Sequence, residues 1–228
     1  MEDMHVRKYF DKELKDIREH LLIMGGKVEL MLNNAMKSQT ERDTELAERT
    51  IAFDHEINYL EIEIDQKCIQ VIATRQPKGR DLRFLTLIMK IVTDLERIGD
   101  HCADIAKKVM ELNVEPPLKA YIDLPRMGHW SAVMIKEALN AFVSDDEELA
   151  LKVCNDDQYI HDLNEQIQRV LLTYMMEDNE IIPSAIKINY ISRCLERIAD
   201  HATNIAEMVI FIIKGKDIRH TMSYSQSP

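Results

Sequence analysis

The residues best suited to chemistry in this chain are acids spaced four apart. Glu96, Asp100 and Asp104 follow one another at four-residue intervals within a stretch typical of a helix. Residues four apart on an α-helix lie about 40° apart around its axis and roughly 6 Å apart along it, so these acids form one narrow strip. Because like charges at this spacing repel one another, the strip needs either solvent or a cation.

The same pattern returns one hundred residues later. The segment LERIGDHCADIAKKV at 95–109 recurs as LERIADHATNIAEMV at 195–209. This recurrence places Glu196, Asp200 and Asn204 at the positions of the three acids. Recurrence favours a metal-binding role over a solvated helix face, although a duplicated segment can also retain structural residues.

A second strip lies on the preceding helical stretch. Asp54 and Asn58, followed by Glu61 and Asp65, line one flank of its apolar seam. If this helix packs antiparallel beside the next one, the two strips converge into an oxygen-rich groove that can hold one metal ion or a bridged cluster. In the second copy the corresponding positions hold Asp157, His161 and Asn164. The predicted metal ligands are Asp54, Asn58, Glu96, Asp100, Asp104, Asp157, His161, Glu196 and Asp200. Asn58 and His161 are the weaker candidates, because their residue types favour a role as polar filler over ligation.

The elements that position these residues are duplicated helices. Met24-Gly25 recurs as Met127-Gly128 at an offset of 103, and the change of offset falls in the connection that contains Pro77. Helical periodicity and breaker residues predict helices at 4–38, 42–74, 81–112, 123–143, 145–176 and 183–214. Gly99 and Ala199 are small residues on the apolar seams, so a neighbouring helix can approach closely there. We expect an all-α fold of two tandem three-helix bundles, with repeats at 1–115 and 116–215 and a disordered tail at 216–228.

Composition excludes several classes of function. The 228 residues carry a formal net charge of −11, and no basic cluster offsets it, so nucleic acid is excluded as a partner. The apolar run at 208–213 is far shorter than the roughly 20 residues of a membrane span, and the N-terminus lacks the apolar region of a signal peptide. Four separated cysteines without a C-x-x-C pair are typical of buried thiols in a reducing cytosol. We expect a soluble, cytoplasmic protein.

The sequence also lacks the motifs of the common catalytic classes. Carboxylate-bridged di-iron enzymes use Glu-x-x-His on two helices, and that spacing occurs here only from Glu2 to His5. The glycines at 25 and 26 lack the spacing of a phosphate-binding loop, and no hydrolase or zinc-protease motif occurs. The sequence therefore favours a protein that is not an enzyme and acts by contacting partners. The alternative is a metal-dependent helical-bundle enzyme of the carboxylate-bridged type.

The paired motifs resemble those of one known family. LERIGD at 95–100 and LERIAD at 195–200, each within a three-helix unit, look like PhoU, the accessory and regulatory protein family of the bacterial phosphate-specific transport system. The Gln76-Pro77 turn and Pro116-Pro117 between the copies are also similar to that family. The similarity extends from about residue 8 to residue 215.

The resemblance implies a cytoplasmic homodimer that helps to shut down the phosphate-starvation response when phosphate is plentiful. Its implied partners are a PstB-like ATPase of the phosphate ABC transporter and a PhoR-like sensor histidine kinase, and it would reach the membrane only through them. The resemblance further implies one metal cluster per repeat, on Glu96/Asp100 with Asp54/Asn58 and on Glu196/Asp200 with Asp157/His161. The metal is left open among iron, zinc, magnesium and calcium, and His161 would favour a softer ion.

Overall fold

The computed structural model describes residues 2–117 and 123–215, which form six α-helices and one short 3-10 helix without any strand. The α-helices are α1 (Glu2–Glu41), α2 (Thr44–Arg75), α3 (Arg80–Asn113), α4 (Leu124–Ser144), α5 (Glu147–Glu177) and α6 (Ile182–Lys214). The 3-10 helix, Asn179–Ile181, immediately precedes α6. Every predicted helix is present, so the all-α prediction is confirmed. The predicted tail at 216–228 lies outside the described residues.

Equivalent aspartates begin the second helix of each repeat. Asp43 accepts a hydrogen bond from the Leu46 amide at 2.9 Å, and Asp146 accepts one from the Leu149 amide at 3.0 Å. Each bond satisfies an amide that has no partner within the first turn of its helix. The duplication has therefore preserved the cap that fixes where α2 and α5 begin.

The two repeats meet through α3 and α6. Asp104, late in α3, accepts a hydrogen bond from Tyr190, early in α6, whereas Asp94 accepts one from Asn204, later in α6. This crossed pairing shows that the two helices run antiparallel. Helix α2 packs on the outer side of α3, α5 packs on the outer side of α6, and α1 contacts α4. One approximate two-fold axis between α3 and α6 therefore relates the repeats.

The repeats share one hydrophobic core. Its buried side chains come from all six helices and form one cluster, in which Phe84 of α3 stacks on Phe142 of α4 with ring centroids 6.1 Å apart. The recurring Met-Gly pairs allow α1 and α4 to approach closely. A Cβ at Gly25 would lie 2.5 Å from Leu139, and one at Gly128 would lie 2.7 Å from Met36. Within the two described segments, no helix is both long and apolar enough to cross a membrane.

Candidate metal centres

In the second repeat, α5 and α6 bring four predicted residues together, and we call this group the second-repeat centre: Asp157, His161, Glu196 and Asp200. His161 Nε2 lies 3.3 Å from Asp157 Oδ2 and 3.7 Å from Asp200 Oδ1. One ligand atom from each of these three residues fits within a mutual distance of 4.8 Å. Two facing helices thus supply one nitrogen and two carboxylates at a single point.

The His161 ring is held from its other side by Glu196. Nδ1 of His161 donates a hydrogen bond to Glu196 Oε1 at 2.8 Å, because an ionised carboxylate can only accept. Nε2, the other ring nitrogen, faces the two aspartates and can coordinate a metal ion once it carries no proton. A carboxylate behind a histidine is the arrangement that orients metal-bound imidazoles in many proteins.

Burial makes negative charge costly at the second-repeat centre. It raises the pKa of Asp157, and the charge of nearby Asp200 raises it further, although His161 opposes both effects. Burial also raises the pKa of Asp200. Desolvation lowers the pKa of His161, but the hydrogen bond to Glu196 and the charges of Asp157 and Asp200 outweigh it and leave that pKa raised. A bound cation would relieve the repulsion between these carboxylates.

In the first repeat, α2 and α3 form the corresponding first-repeat centre: Asp54, Asn58, Glu96 and Asp100. The Asn58 amide donates to Asp54 Oδ2 at 3.0 Å, which leaves Asn58 Oδ1 free of that bond. Asp54 lies close to the α3 backbone, because a Cβ at Gly99 would be 3.5 Å from Asp54 Oδ1. The predicted close approach at this small residue therefore occurs, and it brings the α2 strip against α3.

The acids of the first-repeat centre raise one another's pKa values. Burial raises the pKa of Asp54, and the charge of Asp100 adds to the effect. Burial likewise raises the pKa of Glu96, which also feels the charges of Asp100, Glu61 and Asp54. Glu61 acts on the first-repeat centre through its effect on Glu96, although it was absent from the predicted ligands. Its position three residues after Asn58, on the same flank of α2, was the available signal.

The two centres differ in compactness. Among the described residues, three or more His, Cys, Asp or Glu side chains with ligand atoms this close together occur only in the second repeat. In the first repeat, the amide of Asn58 takes the place of the His161 imidazole. The charge of Asp100 there raises the pKa values of Asp54 and Glu96. The duplicated positions are therefore occupied by two distinct donor sets.

Both carboxylate oxygens of Asp104 contact side chains outside the two centres, whereas its predicted role as a ligand beside Glu96 and Asp100 stays a prediction. Asp104 Oδ1 accepts from Lys107 at 2.8 Å, and Oδ2 accepts from the Tyr190 hydroxyl of α6 at 3.1 Å. Each four-residue step turns about 40° around the helix, so two steps carry the third acid about 80° from Glu96 and towards α6.

Arginines at the rim hold the second aspartate of each motif. Arg97 donates to Asp100 Oδ2 at 3.1 Å, and Arg197 donates to Asp200 Oδ2 at 3.3 Å. The oxygen of Asp200 that faces His161 is the other one, Oδ1. Arg197 therefore leaves one oxygen of Asp200 directed into the centre.

The histidines that follow these aspartates point elsewhere. The rings of His101 and His201 lie against each other between α3 and α6, with centroids 5.8 Å apart. His201 Nδ1 also donates to Asp94 Oδ1 at 2.7 Å. These two histidines belong to the contact between the repeats.

Unpartnered oxygen atoms provide a test of whether the centres fit a cation. Asp54 Oδ1, Asn58 Oδ1 and Asp157 Oδ1 are buried without a hydrogen-bond partner. Buried oxygens are normally paired, and leaving one unpaired costs roughly 1–3 kcal/mol. All three oxygens are of the kinds that coordinate divalent cations. The grouped ligand atoms of the second-repeat centre therefore fit a divalent metal ion, and the first-repeat centre offers two unpartnered oxygens suited to one.

Fold and site together define a class of protein: a duplicated helical bundle with one acidic centre per repeat, between α2 and α3 and between α5 and α6. Comparison with known proteins then identifies the family. The PhoU domain matches residues 21–109 and again residues 124–209, one match for each repeat. The chain belongs to the PhoU family.

Relatives align along nearly the whole chain. The phosphate-specific transport system accessory protein PhoU homolog of Pseudomonas aeruginosa is 41% identical over 218 residues, which is 95% of this chain and 90% of the relative. The PhoU protein of Escherichia coli K12, which bears the same accessory-protein name, is 36% identical over 216 residues, with 95% and 90% covered.

Solved structures agree with the fold. The crystal structure of PhoU from Pseudomonas aeruginosa has a TM-score of 0.88 and 40% identity, covering 91% of this chain and all of that one. The phosphate transport system regulatory protein PhoU from Streptococcus pneumoniae has a TM-score of 0.85 and 33% identity, covering 91% and 98%. These matches confirm both the resemblance and the expected PhoU-like fold.

Proposed function

We propose that this chain is an accessory protein of a phosphate-specific transport system that restrains the phosphate-starvation response. The observation that carries the proposal is the full-length likeness to relatives with that name, including 41% identity over 95% of the chain. Both repeats match the PhoU domain separately, so the likeness does not rest on one half.

The protein acts by contacting partners, not by catalysis. Its relatives are named as accessory or regulatory proteins of transport. Cysteine chemistry offers no support for an enzyme, because all four thiols are buried. Burial raises the pKa of Cys68 and of Cys194 to about 12, so neither supplies a thiolate near neutral pH.

Metal ions at the two centres serve the structure and modulate it. The candidate ligands are the residues of the first-repeat centre on α2 and α3, and Asp157, His161 and Asp200 of the second-repeat centre on α5 and α6. A bound cation supplies positive charge that offsets the repulsion between facing carboxylates. Because the ligands lie on two helices, the residues of each centre tie an outer helix to α3 or α6. Unpaired Asp54 Oδ1 and Asp157 Oδ1 support this role.

The proposed partners follow the family. They are a second copy of the chain, a PstB-like transporter ATPase and a PhoR-like sensor kinase, all met on the cytoplasmic side of the membrane. The net charge of −11 suits basic protein surfaces. At the end of α5, Leu172 and Met176 are 59% and 87% exposed and lie one turn apart, which suits a protein contact.

Retention of partners tests the proposal. Protein immobilised without a chelating tag is incubated with the purified ATPase and the purified kinase of the same organism, with and without added divalent metal. We expect at least one of them to be retained, and we expect expression of the chain to restore phosphate repression in cells lacking their own PhoU. Retention of neither, together with metal-dependent turnover of a substrate, would favour the helical-bundle enzyme instead.

A further inference from the structure

The duplicated centres use the same helix positions for different chemistry. At the offset of 103, Asn58 of α2 corresponds to His161 of α5, and at the offset of 100, Glu96 of α3 corresponds to Glu196 of α6. One repeat therefore presents an amide where the other presents an imidazole. An amide oxygen is a hard donor, whereas an imidazole nitrogen favours borderline transition metals.

The difference between Asn58 and His161 gives the corresponding glutamates, Glu96 and Glu196, different roles. Glu196 accepts the Nδ1–H of His161 at 2.8 Å, so this oxygen is occupied in orienting the ring. Glu96 faces no imidazole on α2. Its Oε2 lies 3.4 Å from Arg97 Nε, its side chain is 15% exposed, and the charges of Asp100 and Glu61 act on it. Glu96 therefore remains available to bind a cation directly.

We propose that the two centres prefer different metals. The second-repeat centre binds Zn²⁺ or a similar borderline ion through Asp157, His161 Nε2 and Asp200, with Glu196 as a positioning residue. The first-repeat centre, built from oxygen donors alone, binds a hard cation such as Mg²⁺ or Mn²⁺. This inference rests on the metal-binding role proposed above and specifies which ion each repeat takes.

The spacing of the donors supports this assignment. Ligand atoms about 2.0–2.2 Å from Zn²⁺ in tetrahedral geometry lie roughly 3.3–3.6 Å apart. The distances from His161 Nε2 to Asp157 and Asp200 are 3.3 Å and 3.7 Å. Both distances are close to this spacing, and all three ligand atoms lie within 4.8 Å of one another, so small side-chain movements would bring them to zinc-binding distances. In the first repeat, a carboxylate oxygen of Asp54 and the amide oxygen of Asn58 are buried without a hydrogen-bond partner. Both are hard donors, which suit a hard cation.

Exchanging the two differing residues tests the proposal directly. Wild-type protein, His161→Asn and Asn58→His are stripped with a chelator and titrated with Co²⁺, whose visible absorption reports nitrogen ligation, and separately with Zn²⁺ and Mn²⁺. We expect one tight Co²⁺ or Zn²⁺ site per wild-type chain. His161→Asn should weaken that site at least tenfold and leave Mn²⁺ binding at the first-repeat centre unchanged. Asn58→His should add nitrogen ligation in the first repeat.

A second pair of variants tests the role of Glu196. Glu196→Ala should weaken Zn²⁺ binding about 10- to 100-fold without changing stoichiometry, as loss of an outer carboxylate does elsewhere. Glu196→Gln keeps an oxygen that can accept the Nδ1–H, and it should restore most of the affinity and the Co²⁺ spectrum. Asp157→Asn should reduce the affinity further than either. Loss of stoichiometry in Glu196→Gln would show that Glu196 is a ligand and would overturn its positioning role.

The outcomes separate this inference from the broader proposal. Two equivalent Co²⁺ sites whose affinities and spectra are unchanged by His161→Asn and by Asn58→His would overturn the difference in metal preference. The proposal that the protein binds metal would still stand. Failure of wild-type protein to bind Co²⁺, Zn²⁺ or Mn²⁺ would remove the proposed metal role together with this inference. Helical circular dichroism of each variant checks that the bundle remains folded, and Asn58→His provides a gain of ligation that misfolding cannot produce.

Discussion

The carboxylate of Asp54 lies directly against the backbone of α3 at Gly99. A Cβ at residue 99 would be 3.5 Å from Asp54 Oδ1 and 3.3 Å from Ile57 Cγ2. The missing side chain lets α2 approach α3 closely, and the same approach encloses an acid oxygen that has no hydrogen-bond partner. The first-repeat centre is therefore built at the expense of the stability of the metal-free protein.

We predict that Asp54→Asn stabilises the metal-free protein at neutral pH. Burial raises the pKa of Asp54 above 3.8, so the folded state disfavours its charge. Removing one such penalty is worth roughly 1 kcal/mol, or about 2–4 °C in melting temperature at this chain length. Thermal unfolding in chelator measures the gain, and the same variant should lose the part of the metal-dependent stabilisation that comes from the first-repeat centre.

The pH dependence of that gain has a definite sign. A raised folded pKa means that wild type has its full share of stability below the unfolded value near 3.8 and loses it as pH rises through the folded value. The advantage of Asp54→Asn should therefore vanish at acid pH and grow towards neutrality. Asp11→Asn, at an exposed position on α1, is the matched control. An equal gain in both variants would contradict the explanation.

Adjacent glycines on α1 should respond in opposite ways. A Cβ at Gly26 meets nothing within 4 Å, so Gly26→Ala should stabilise the protein by up to about 1 kcal/mol through helix propensity. A Cβ at Gly25 would lie 2.5 Å from Leu139 of α4, and overpacking there costs roughly 1–3 kcal/mol. Chemical denaturation compares the two, and equal stabilities would show that α1 and α4 are not in close contact.

Lys67 should stabilise the pairing of α1 with α2. Its ammonium lies 3.0 Å from Asp16 Oδ2, 3.1 Å from Glu63 Oε1 and 2.8 Å from His20 Nε2. Lys67→Met should cost about 1 kcal/mol, since the group forms a network at a partly exposed site. The more exposed i,i+4 pair of Lys15 with Glu19 provides a control, and Lys15→Met should cost little.

Acid should remove the part of the Lys67 effect that comes from Asp16. The hydrogen bond from Lys67 lowers the pKa of Asp16 below 3.8 and outweighs the opposing effect of burial. The resulting stability is present above the unfolded pKa and is lost as pH falls through the folded value. Urea unfolding of wild type and Lys67→Met across this range measures the change. A difference that does not decline in acid would contradict the pairing.

Much of this arrangement followed from sequence periodicity. The apolar period predicted all six helices, and the recurring Met-Gly pairs marked positions that prove to lie at close contacts. Small seam residues such as Gly99 predicted that another helix packs closely there, but they did not predict which helix it is. Each acidic strip lies on one flank of its apolar seam, so the sequence predicted that the strips would converge if α2 packed antiparallel beside α3. The flank on which a residue lies follows from its position along the helix.

Other features depended on packing that one sequence does not specify. Asp104 belongs to the same four-residue series as Glu96, but the rotation along α3 turns its side chain towards Tyr190 of α6. The duplication alone did not predict that α6 packs beside α3. The bond from His161 to Glu196 depends on side-chain rotamers across two helices. Pattern reasoning therefore grouped Glu196 with the ligands, while its geometry favours a positioning role.

Elemental analysis of metal content per chain tests the central proposal most directly. Wild-type protein, the double variant Asp100→Ala/Asp200→Ala and the control Asp104→Ala are purified without a chelating tag and checked for equal helix content. We expect bound divalent metal in wild type, unchanged metal in Asp104→Ala, and a large loss in the double variant with the bundle still folded. The same stoichiometry in all three proteins would contradict the assignment of metal centres to the converging acids of α2 with α3 and α5 with α6.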